Sequence, residues 1–337
     1  MKIGLAGLRY SGKTSLFKLL TGSNVSYEKS GVNIGTARVP DKRIDALAEI
    51  YQPEKITYAA LELADIPGID LNKNRSFFAD IRKVDLLLVV LRDFADDIHP
   101  NPLETNDYRR DLGIIKDELL LQDMVVTEKR LESLAGQLKK QGCKELQLEY
   151  EVLRRAAELL NQGEFLAKME LSGAEEKIMR NHGFFTRKAL LPIINTDEDK
   201  ITAEYDWPAF SLQVEAEIAA LPEQDREEYC RLLGVSEPAL DRIVRAVYRQ
   251  AGLISFFTVG KDEVRAWTIV QGTTAKAAAG KIHSDLEKGF IRAEVCAYED
   301  FIKCRDMSIA KNDNKVRLES KDYIVQDGDM LNIRFNV

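Results

Sequence analysis

The sequence lacks several features that would place it in common protein classes. Its 337 residues include only four cysteines and three histidines, without C-x-x-C pairing or the close spacing of metal ligands. We therefore expect free thiols and no structural metal. No run approaches the roughly 18 apolar residues of a membrane span, and Met1 leads directly into an apolar stretch without a basic, cleavable leader. We expect a cytoplasmic protein without a membrane segment.

An excess of positive charge is also missing. Lys and Arg total 48, Asp and Glu total 55, and the formal net charge is −7 at pH 7. Binding to RNA or a ribosome would have to depend on a local basic surface, because the chain as a whole does not attract phosphate. The apolar content of 45% is sufficient for more than one hydrophobic core, and the length predicts about two or three domains.

The strongest motif lies near the N-terminus. Residues 4–20 read GLAGLRYSGKTSLFKLL, with an apolar strand before a G-x-x-x-x-G-K-T loop and helical residues after it. Glycines let successive N–H groups and the helix N-terminus face anionic oxygens, so this order predicts a phosphate-binding loop. Lys13 is expected to reach the β- and γ-phosphates, and the Thr14 hydroxyl to ligate Mg²⁺. The predicted nucleotide contacts here are Gly7, Leu8, Arg9, Tyr10, Ser11, Gly12, Lys13, Thr14 and Ser15.

A second motif supplies the other part of such a site. Residues 65–68 read D-x-x-G and follow an apolar strand. Asp65 is predicted to hold Mg²⁺ through water, and the Gly68 N–H to detect the γ-phosphate. Alone, the motif could be an ordinary turn. Together with the phosphate loop it favours a switch GTPase-type domain, with Lys13 and Gly68 as catalytic residues and Thr14 and Asp65 as metal ligands.

Two further apolar runs are typical of buried parallel strands. They cover Val84–Leu91 and Ala189–Ile194, and the second is followed by Asn195-Thr196-Asp197-Glu198. Switch GTPases carry N-K-x-D at such a position to read guanine, whereas this chain has N-x-x-E. From the spacing alone, a base-reading element and a plain polar loop are equally good interpretations.

The segment between these strands is too long for a simple connection, at about a hundred residues. Apolar positions in steps of four and three on both sides of Lys139-Lys140-Gln141-Gly142 predict two helices in an antiparallel coiled-coil hairpin. The hairpin either projects into solvent or packs on the core, and Lys139, Lys140 and Lys144 form a local basic patch at its tip. After about Gly252, alternating apolar residues predict a small β-grasp-like module.

Together these residues resemble the YchF family, also called Obg-like ATPases, a branch of the Obg-related P-loop GTPase class. The resemblance covers essentially the full chain and implies an α/β fold: a P-loop nucleotide-binding domain with a mainly parallel sheet, an inserted antiparallel coiled-coil helical domain, and a C-terminal β-grasp-like TGS domain. Its most specific stretches are Asn33–Asp45, Glu263–Ile269, Ala279–Ala293 and Lys321–Val337. The expected boundaries are 1–108 and 187–252 for the nucleotide-binding domain, 109–186 for the insert and 253–337 for the TGS domain.

The family's base-reading motif is also N-x-x-E and is associated with a preference for ATP over GTP. The resemblance therefore assigns Asn195 and Glu198 to the adenine side and Ser211 to the last base-contacting loop. Loss of the aspartate also removes the partner for the N–H groups of guanine. The family further implies Mg²⁺ and ATP, with GTP less favoured, and the ribosome (large subunit or whole particle) or ribosomal RNA as partner. Helices that pair within one chain make a monomer the simplest expectation.

Departures from the family pattern mark a divergent member with altered switch regions. The family reads Pro-Asn-Val where this chain has Arg9-Tyr10-Ser11, and it carries a threonine shortly before Asn33 that is missing here. The second switch is shorter and lacks glycine. Ile69 stands where many GTPases place a water-orienting glutamine, and Asp70 and Lys73 are possible replacements. These changes concern switching and hydrolysis more than binding.

Two functions follow from these features. The first is a slow Mg²⁺-dependent ATPase, with GTP also possible, that acts as a ribosome- or translation-associated switch. The second is a nucleotide-dependent binding scaffold with weak or lost hydrolysis, which the altered switches favour. A metabolic kinase is a distant third, because no Arg-rich lid is visible. Whether the protein is an enzyme stays open at this level, with a P-loop nucleoside-triphosphate hydrolase preferred.

Overall fold

The computed structural model describes residues 1–22, 25–27, 32–69, 75–140 and 142–336. The chain divides into two compact units. The first contains Met1–Gly35 and Glu62–Leu240, and the second contains Thr36–Leu61 and Asp241–Val337. None of the helices formed by the described residues is both long enough and apolar enough to cross a membrane.

The first unit is built on a seven-stranded, mainly parallel sheet, as predicted. The strand order is β2-β3-β5-β1-β6-β7-β8, and the pairs around β1, β6 and β7 are parallel, whereas β2 and β3 are antiparallel. The central strands are buried along almost their whole length, which explains their continuous apolar sequence. The strands are β1 (Lys2–Ala6), β2 (Val25–Tyr27), β3 (Asn33–Arg38), β5 (Ala60–Asp65), β6 (Leu86–Asp93), β7 (Ala189–Thr196) and β8 (Ala209–Phe210).

Helices cover this sheet and extend from it. They are α1 (Lys13–Thr21), α3 (Arg75–Ile81), α4 (Tyr108–Lys140), α5 (Lys144–Asn161), α6 (Gly173–His182), α7 (Leu212–Ala220) and α8 (Glu223–Leu232). Short 3₁₀ turns occupy Leu166–Lys168, Phe185–Arg187 and Glu198–Lys200.

Helices α4 and α5 form the predicted helical hairpin. Arg130 of α4 donates two hydrogen bonds to Glu149 of α5, both at 2.8 Å, which fits an antiparallel pair. The sequence left open whether the hairpin packs on the core or projects from it, and each alternative applies to one part of the hairpin. The first half of α4 joins the main core through Leu112, Ile115 and Leu119. The second half has a separate core with α5 and α6, made by Leu120, Leu134, Val152, Leu153, Ala156, Leu160, Leu166, Met169, Met179 and Phe184.

The second unit contains a six-stranded sheet with the order β12-β11-β13-β9-β10-β4. Strands β9 and β10 form an antiparallel hairpin, β11 and β13 are also antiparallel, and β13 lies parallel to β9, which is the β-grasp-like arrangement expected. The strands are β4 (Lys55–Thr57), β9 (Leu253–Val259), β10 (Glu263–Val270), β11 (Phe290–Ala297), β12 (Val316–Glu319) and β13 (Asp329–Phe335). The helices are α2 (Lys42–Tyr51), α9 (Ala239–Gln250), α10 (Ala275–Ile282), α11 (Ser284–Lys288), α12 (Tyr298–Cys304) and α13 (Met307–Asn312).

The second unit also includes residues 36–61, which the sequence-based boundaries placed in the nucleotide-binding domain. Strand β4 pairs in parallel with β10, and the Thr57 hydroxyl donates to Glu263 at 2.6 Å. Arg43 of α2 donates to Asp327 at 2.8 Å. The division into three domains stays a prediction, but the structure groups this segment with the C-terminal strands.

Candidate functional site

The loop between β1 and α1 is tightly packed against the ends of two strands. Gly7 and Gly12 have φ values of 148° and 93°, a region that favours glycine. A Cβ atom on Gly7 would lie 2.4 Å from the Val90 carbonyl oxygen, and one on Gly12 would lie 2.6 Å from the Asn195 amide nitrogen. The glycines of the motif are thus required by close contacts as well as by backbone angles.

The N-terminus of α1 opens directly from this loop. Gly12 is its N-cap residue and offers no side chain to cap the first turn, and uncapped backbone N–H groups at a helix N-terminus are suited to bind an anion. Thr14 and Ser15 in the first turn are exposed, whereas Lys13 is buried. The order of strand, loop and helix agrees with the motif, and the nucleotide contacts of these residues stay predictions.

Lys13 is held inside the site. Its side chain is 6% exposed, and its ammonium group donates to the Leu8 carbonyl oxygen at 2.7 Å. Burial lowers the pKa of Lys13 to about 8, and the nearby charge of Asp65 opposes this shift only in part. The ammonium group thus donates to the backbone of the same loop.

The two predicted metal ligands lie close to each other. Asp65, at the end of β5, accepts a hydrogen bond from the Thr14 side chain, and the Asn33 amide lies 3.4 Å from its carboxylate. Burial raises the pKa of Asp65, while the hydrogen bond from Thr14 and the charge of Lys13 act in the opposite direction. These groups share a cavity of about 300 Å³ lined by Arg9, Tyr10, Lys13, Thr14, Asn33, Asp65, Ile66, Pro67 and Gly68.

The D-x-x-G segment lies directly against the phosphate loop. Ile69 forms a parallel bridge with Leu8, and its N–H donates to the Gly7 carbonyl oxygen at 3.1 Å. A Cβ atom on Gly68 would lie 3.1 Å from the Lys13 ammonium nitrogen, so the closeness of the two motifs depends on glycine here as well. Ile69 itself is 2% exposed and apolar. The possible replacements for a water-orienting group, Asp70 and Lys73, lie outside the described residues.

The residues assigned to the base separate into two places. Asn195 is 2% exposed; its amide donates to the Ser11 carbonyl oxygen at 3.2 Å and its oxygen accepts from the Leu212 N–H at 3.1 Å. Ser211, at the N-cap of α7, is buried beside Leu212. Glu198 is exposed and lines a different cavity of about 420 Å³ with Asp199, Ile201, Thr202 and Leu233. The base-contacting roles of these residues stay predictions.

Arg92 contacts the phosphate loop, and no sequence motif indicated this residue. It lies at the end of β6, 3% exposed, and one guanidinium nitrogen donates to the carbonyl oxygens of Tyr10 at 3.3 Å and His99 at 2.8 Å. The rings of Tyr10 and His99 are in contact, 5.4 Å apart. A charged residue at the end of the apolar run Val84–Leu91 was the available signal. Next to this contact lies a second cavity of about 460 Å³, lined by Leu8, Arg9, Tyr10, Ile69, Ile98, His99, Pro100, Asn101, Pro102 and Leu103.

A strand, a G-x-x-x-x-G-K-T loop and a helix on a mainly parallel sheet define the class of P-loop nucleotide-binding proteins. Comparison with known families agrees. Residues 2–125 match the MMR_HSR1 family, described as "50S ribosome-binding GTPase", and residues 253–336 match YchF-GTPase_C, described as "Protein of unknown function (DUF933)".

Comparison with individual proteins identifies the family. The chain is 36% identical to the ribosome-binding ATPase YchF of Haemophilus ducreyi, over 100% of this chain and 99% of that protein. It is 34% identical to the Bacillus subtilis protein of the same name, over 99% of each. The structure of the Schizosaccharomyces pombe YchF GTPase superposes with a TM-score of 0.88 and 26% identity, covering 99% of this chain and 97% of that one. The protein belongs to the YchF family.

Proposed function

We propose that this protein binds a purine nucleoside triphosphate with Mg²⁺ and hydrolyses it slowly, with ATP preferred. The observation that carries the proposal is the convergence of Lys13, Thr14, Asp65 and Gly68 on one cavity beside the phosphate loop. The Haemophilus ducreyi and Bacillus subtilis relatives are called ATPases and the Schizosaccharomyces pombe protein is called a GTPase, which supports nucleotide hydrolysis here.

The side chains present fit a magnesium–nucleotide complex. Mg²⁺ prefers oxygen ligands, and Thr14 and Asp65 would supply them directly or through water. When bound, the ion would neutralise charge on the phosphates. Ser11 Oγ is buried and, among the described residues, has no hydrogen-bond partner, as expected at a loop built for a polar ligand. Lys13 would exchange its bond with the Leu8 carbonyl for the β- and γ-phosphate oxygens, and the Gly68 N–H would contact the γ-phosphate.

The decisive experiment removes the ammonium group of Lys13. Lys13→Ala should abolish both nucleotide binding and phosphate release by the purified protein, because the phosphates lose their charged partner. Lys18→Ala is the matched control: it removes an exposed lysine from the same helix and should leave both signals intact. Nucleotide binding without any Lys13-dependent phosphate release would refute the ATPase and favour the alternative, a nucleotide-dependent scaffold.

The preference for ATP is assigned to Asn195, Glu198 and Ser211. Glu198 is the informative position to change, because it is exposed. Asn195 also holds the phosphate loop, so its replacement would weaken the binding of every nucleotide. Glu198→Asp restores the shorter carboxylate that guanine-reading loops carry and should shift the ratio of ATP to GTP affinity toward GTP in calorimetry. Tighter binding of GTP than of ATP by the unaltered protein would overturn the assignment.

The proposed partner is the ribosome, through its large subunit or the whole particle. The curated relatives carry "ribosome-binding" in their names, and the hairpin of this chain presents exposed lysines Lys139, Lys140 and Lys144 at its tip. We propose a cytoplasmic monomer, since the helices of the hairpin pair within one chain. Sedimentation of ribosomes with the protein, in the presence of ATP or ADP, tests whether the nucleotide controls the association.

A further inference from the structure

The guanidinium group of Arg92 is buried without a carboxylate to pair with. Its hydrogen bonds go to three backbone carbonyl oxygens: Phe94 at 3.2 Å, Tyr10 at 3.3 Å and His99 at 2.8 Å. Among the described residues, no acidic side chain lies within ion-pair distance of it, and the charges of Asp96, Asp111 and Asp197 act on it only from farther away. Removing a cation from water is unfavourable, and neutral carbonyl groups offset less of that cost than a carboxylate would. A buried arginine in this position therefore calls for a specific role.

The role of Arg92 follows from the position of the carbonyl groups that it binds. Arg92 on β6 binds the carbonyl of Tyr10, and Asn195 on the neighbouring strand β7 binds the carbonyl of Ser11. The two side chains thus hold successive peptide groups of the phosphate loop. In a trans peptide the C=O and N–H point in opposite directions, so fixing these carbonyls toward the strand ends turns the N–H groups of Ser11 and Gly12 the other way.

The conformation of Tyr10 explains why such support is needed. Its φ is 61°, in the left-handed region that is costly for a residue other than glycine. A hydrogen bond to the carbonyl of Tyr10 stabilises this conformation directly. Arg92 is not itself among the residues that line the phosphate cavity.

We propose that Arg92 is a positioning residue that presets the phosphate loop for nucleotide, by holding the Tyr10 peptide so that the Ser11 N–H faces the bound phosphates. This inference rests on the proposed function, because it assumes that the loop binds nucleotide. It makes Arg92 and Asn195 a pair of supports that act on adjacent peptides from adjacent strands. Replacing Arg92 should weaken the binding of nucleoside diphosphates and triphosphates to the same extent. The peptide that Arg92 holds would contact the phosphates that both nucleotides share.

The test compares nucleotide affinity with fold stability. Arg92→Gln should weaken the binding of both ADP and ATP with Mg²⁺ by about tenfold or more, because a charge-assisted contact to the loop is lost. Arg92→Lys keeps the charge but lacks the planar, five-donor guanidinium fork that reaches the three carbonyls in fixed directions, so its affinity should be intermediate. Glu149→Gln is the matched control: it disturbs a hydrogen-bonded side chain of the helical hairpin in the same unit and should lower the melting temperature with unchanged affinity.

Chemical rescue separates positioning from a general loss of structure. In Arg92→Ala, millimolar guanidinium should recover part of the nucleotide affinity, whereas the same concentration of urea should not. Affinity equal to that of the unaltered protein in folded Arg92→Gln, or in Arg92→Lys if the glutamine variant does not fold, would overturn the inference. If the unaltered protein binds neither ADP nor ATP, the proposed function fails instead.

Discussion

At the scale of single residues, the charge of Lys13 is the feature on which the site depends most. Its ammonium group is almost fully enclosed, with a carbonyl oxygen as its hydrogen-bond partner. Burial lowers the pKa of Lys13 to about 8, well below its ordinary value of 10.5. The protonated form is therefore less strongly favoured in the folded protein than in water, and phosphates beside it would favour it again.

We expect nucleotide affinity to fall as the pH rises through about 8, because binding then requires Lys13 to take up a proton. The same lowered pKa has the opposite effect on folding: it makes the free energy of unfolding rise with pH. Between about pH 8 and the ordinary pKa, the unfolded chain holds this proton more tightly, so the contribution of Lys13 to the nucleotide-free fold becomes less unfavourable as pH rises. Calorimetry above pH 8 in buffers of different ionisation enthalpy would reveal the proton uptake.

The matched variant for this measurement is Lys13→Arg. An arginine stays protonated throughout the pH range, so whatever its absolute affinity, its pH dependence should be flatter. An equally steep loss of affinity in Lys13→Arg would assign the pH effect to another group.

At the scale of elements, an acidic side chain in the middle of α4 binds the 3₁₀ turn that precedes β7. Asp123 is 1% exposed and accepts hydrogen bonds from the N–H groups of Phe185 and Thr186, at 3.0 and 2.7 Å, and from the Thr186 hydroxyl at 2.8 Å. The 3₁₀ turn Phe185–Arg187 leads directly into β7, the strand that carries Asn195. The return path of the chain from the insert to the site thus depends on a contact in the middle of α4.

Replacing Asp123 by alanine should cost about 3 kcal/mol of unfolding free energy, because buried donors lose a charged acceptor. Urea denaturation measures the change. Asp117→Ala on the same helix is the control: this aspartate is exposed, and its loss should change the free energy by about 0.5 kcal/mol or less. Equal effects of the two substitutions would show that the contacts of Asp123 do not stabilise the fold.

At the scale of the whole molecule, a chain with a net charge of −7 is proposed to bind a nucleic-acid-rich particle. Overall attraction to phosphate cannot drive this association, so a local basic surface has to. Lys139, Lys140 and Lys144 are all exposed at the tip of the hairpin formed by α4 and α5.

Changing these three lysines to alanine together should weaken ribosome binding and reduce the slope of log affinity against log salt by about 2 to 3. Ribosome titrations at several salt concentrations give this slope. The control replaces three exposed lysines outside the tip of the hairpin, Lys116, Lys129 and Lys177. A slope unchanged by the tip variant would exclude the tip as the contact with phosphate.

The sequence by itself determined the features that depend on neighbouring residues. The phosphate loop, the D-x-x-G turn, the buried parallel strands and the helical hairpin each follow from local spacing: glycines where the backbone needs them, continuous apolar runs, and apolar steps of four and three. Even the departures at Tyr10 and Ile69 were visible, because a motif fixes where each residue stands.

Only the tertiary structure decided the contacts between distant segments. The base-contacting roles of Asn195 and Glu198 stay predictions, and the structure adds that both polar ends of the Asn195 side chain bind the backbone and that Glu198 lines another cavity. Arg92 carried no motif, and residues 36–61 join strands about two hundred positions later in the chain. Periodicity shows which face of an element is buried, but the partner that covers that face is chosen by packing across the whole chain.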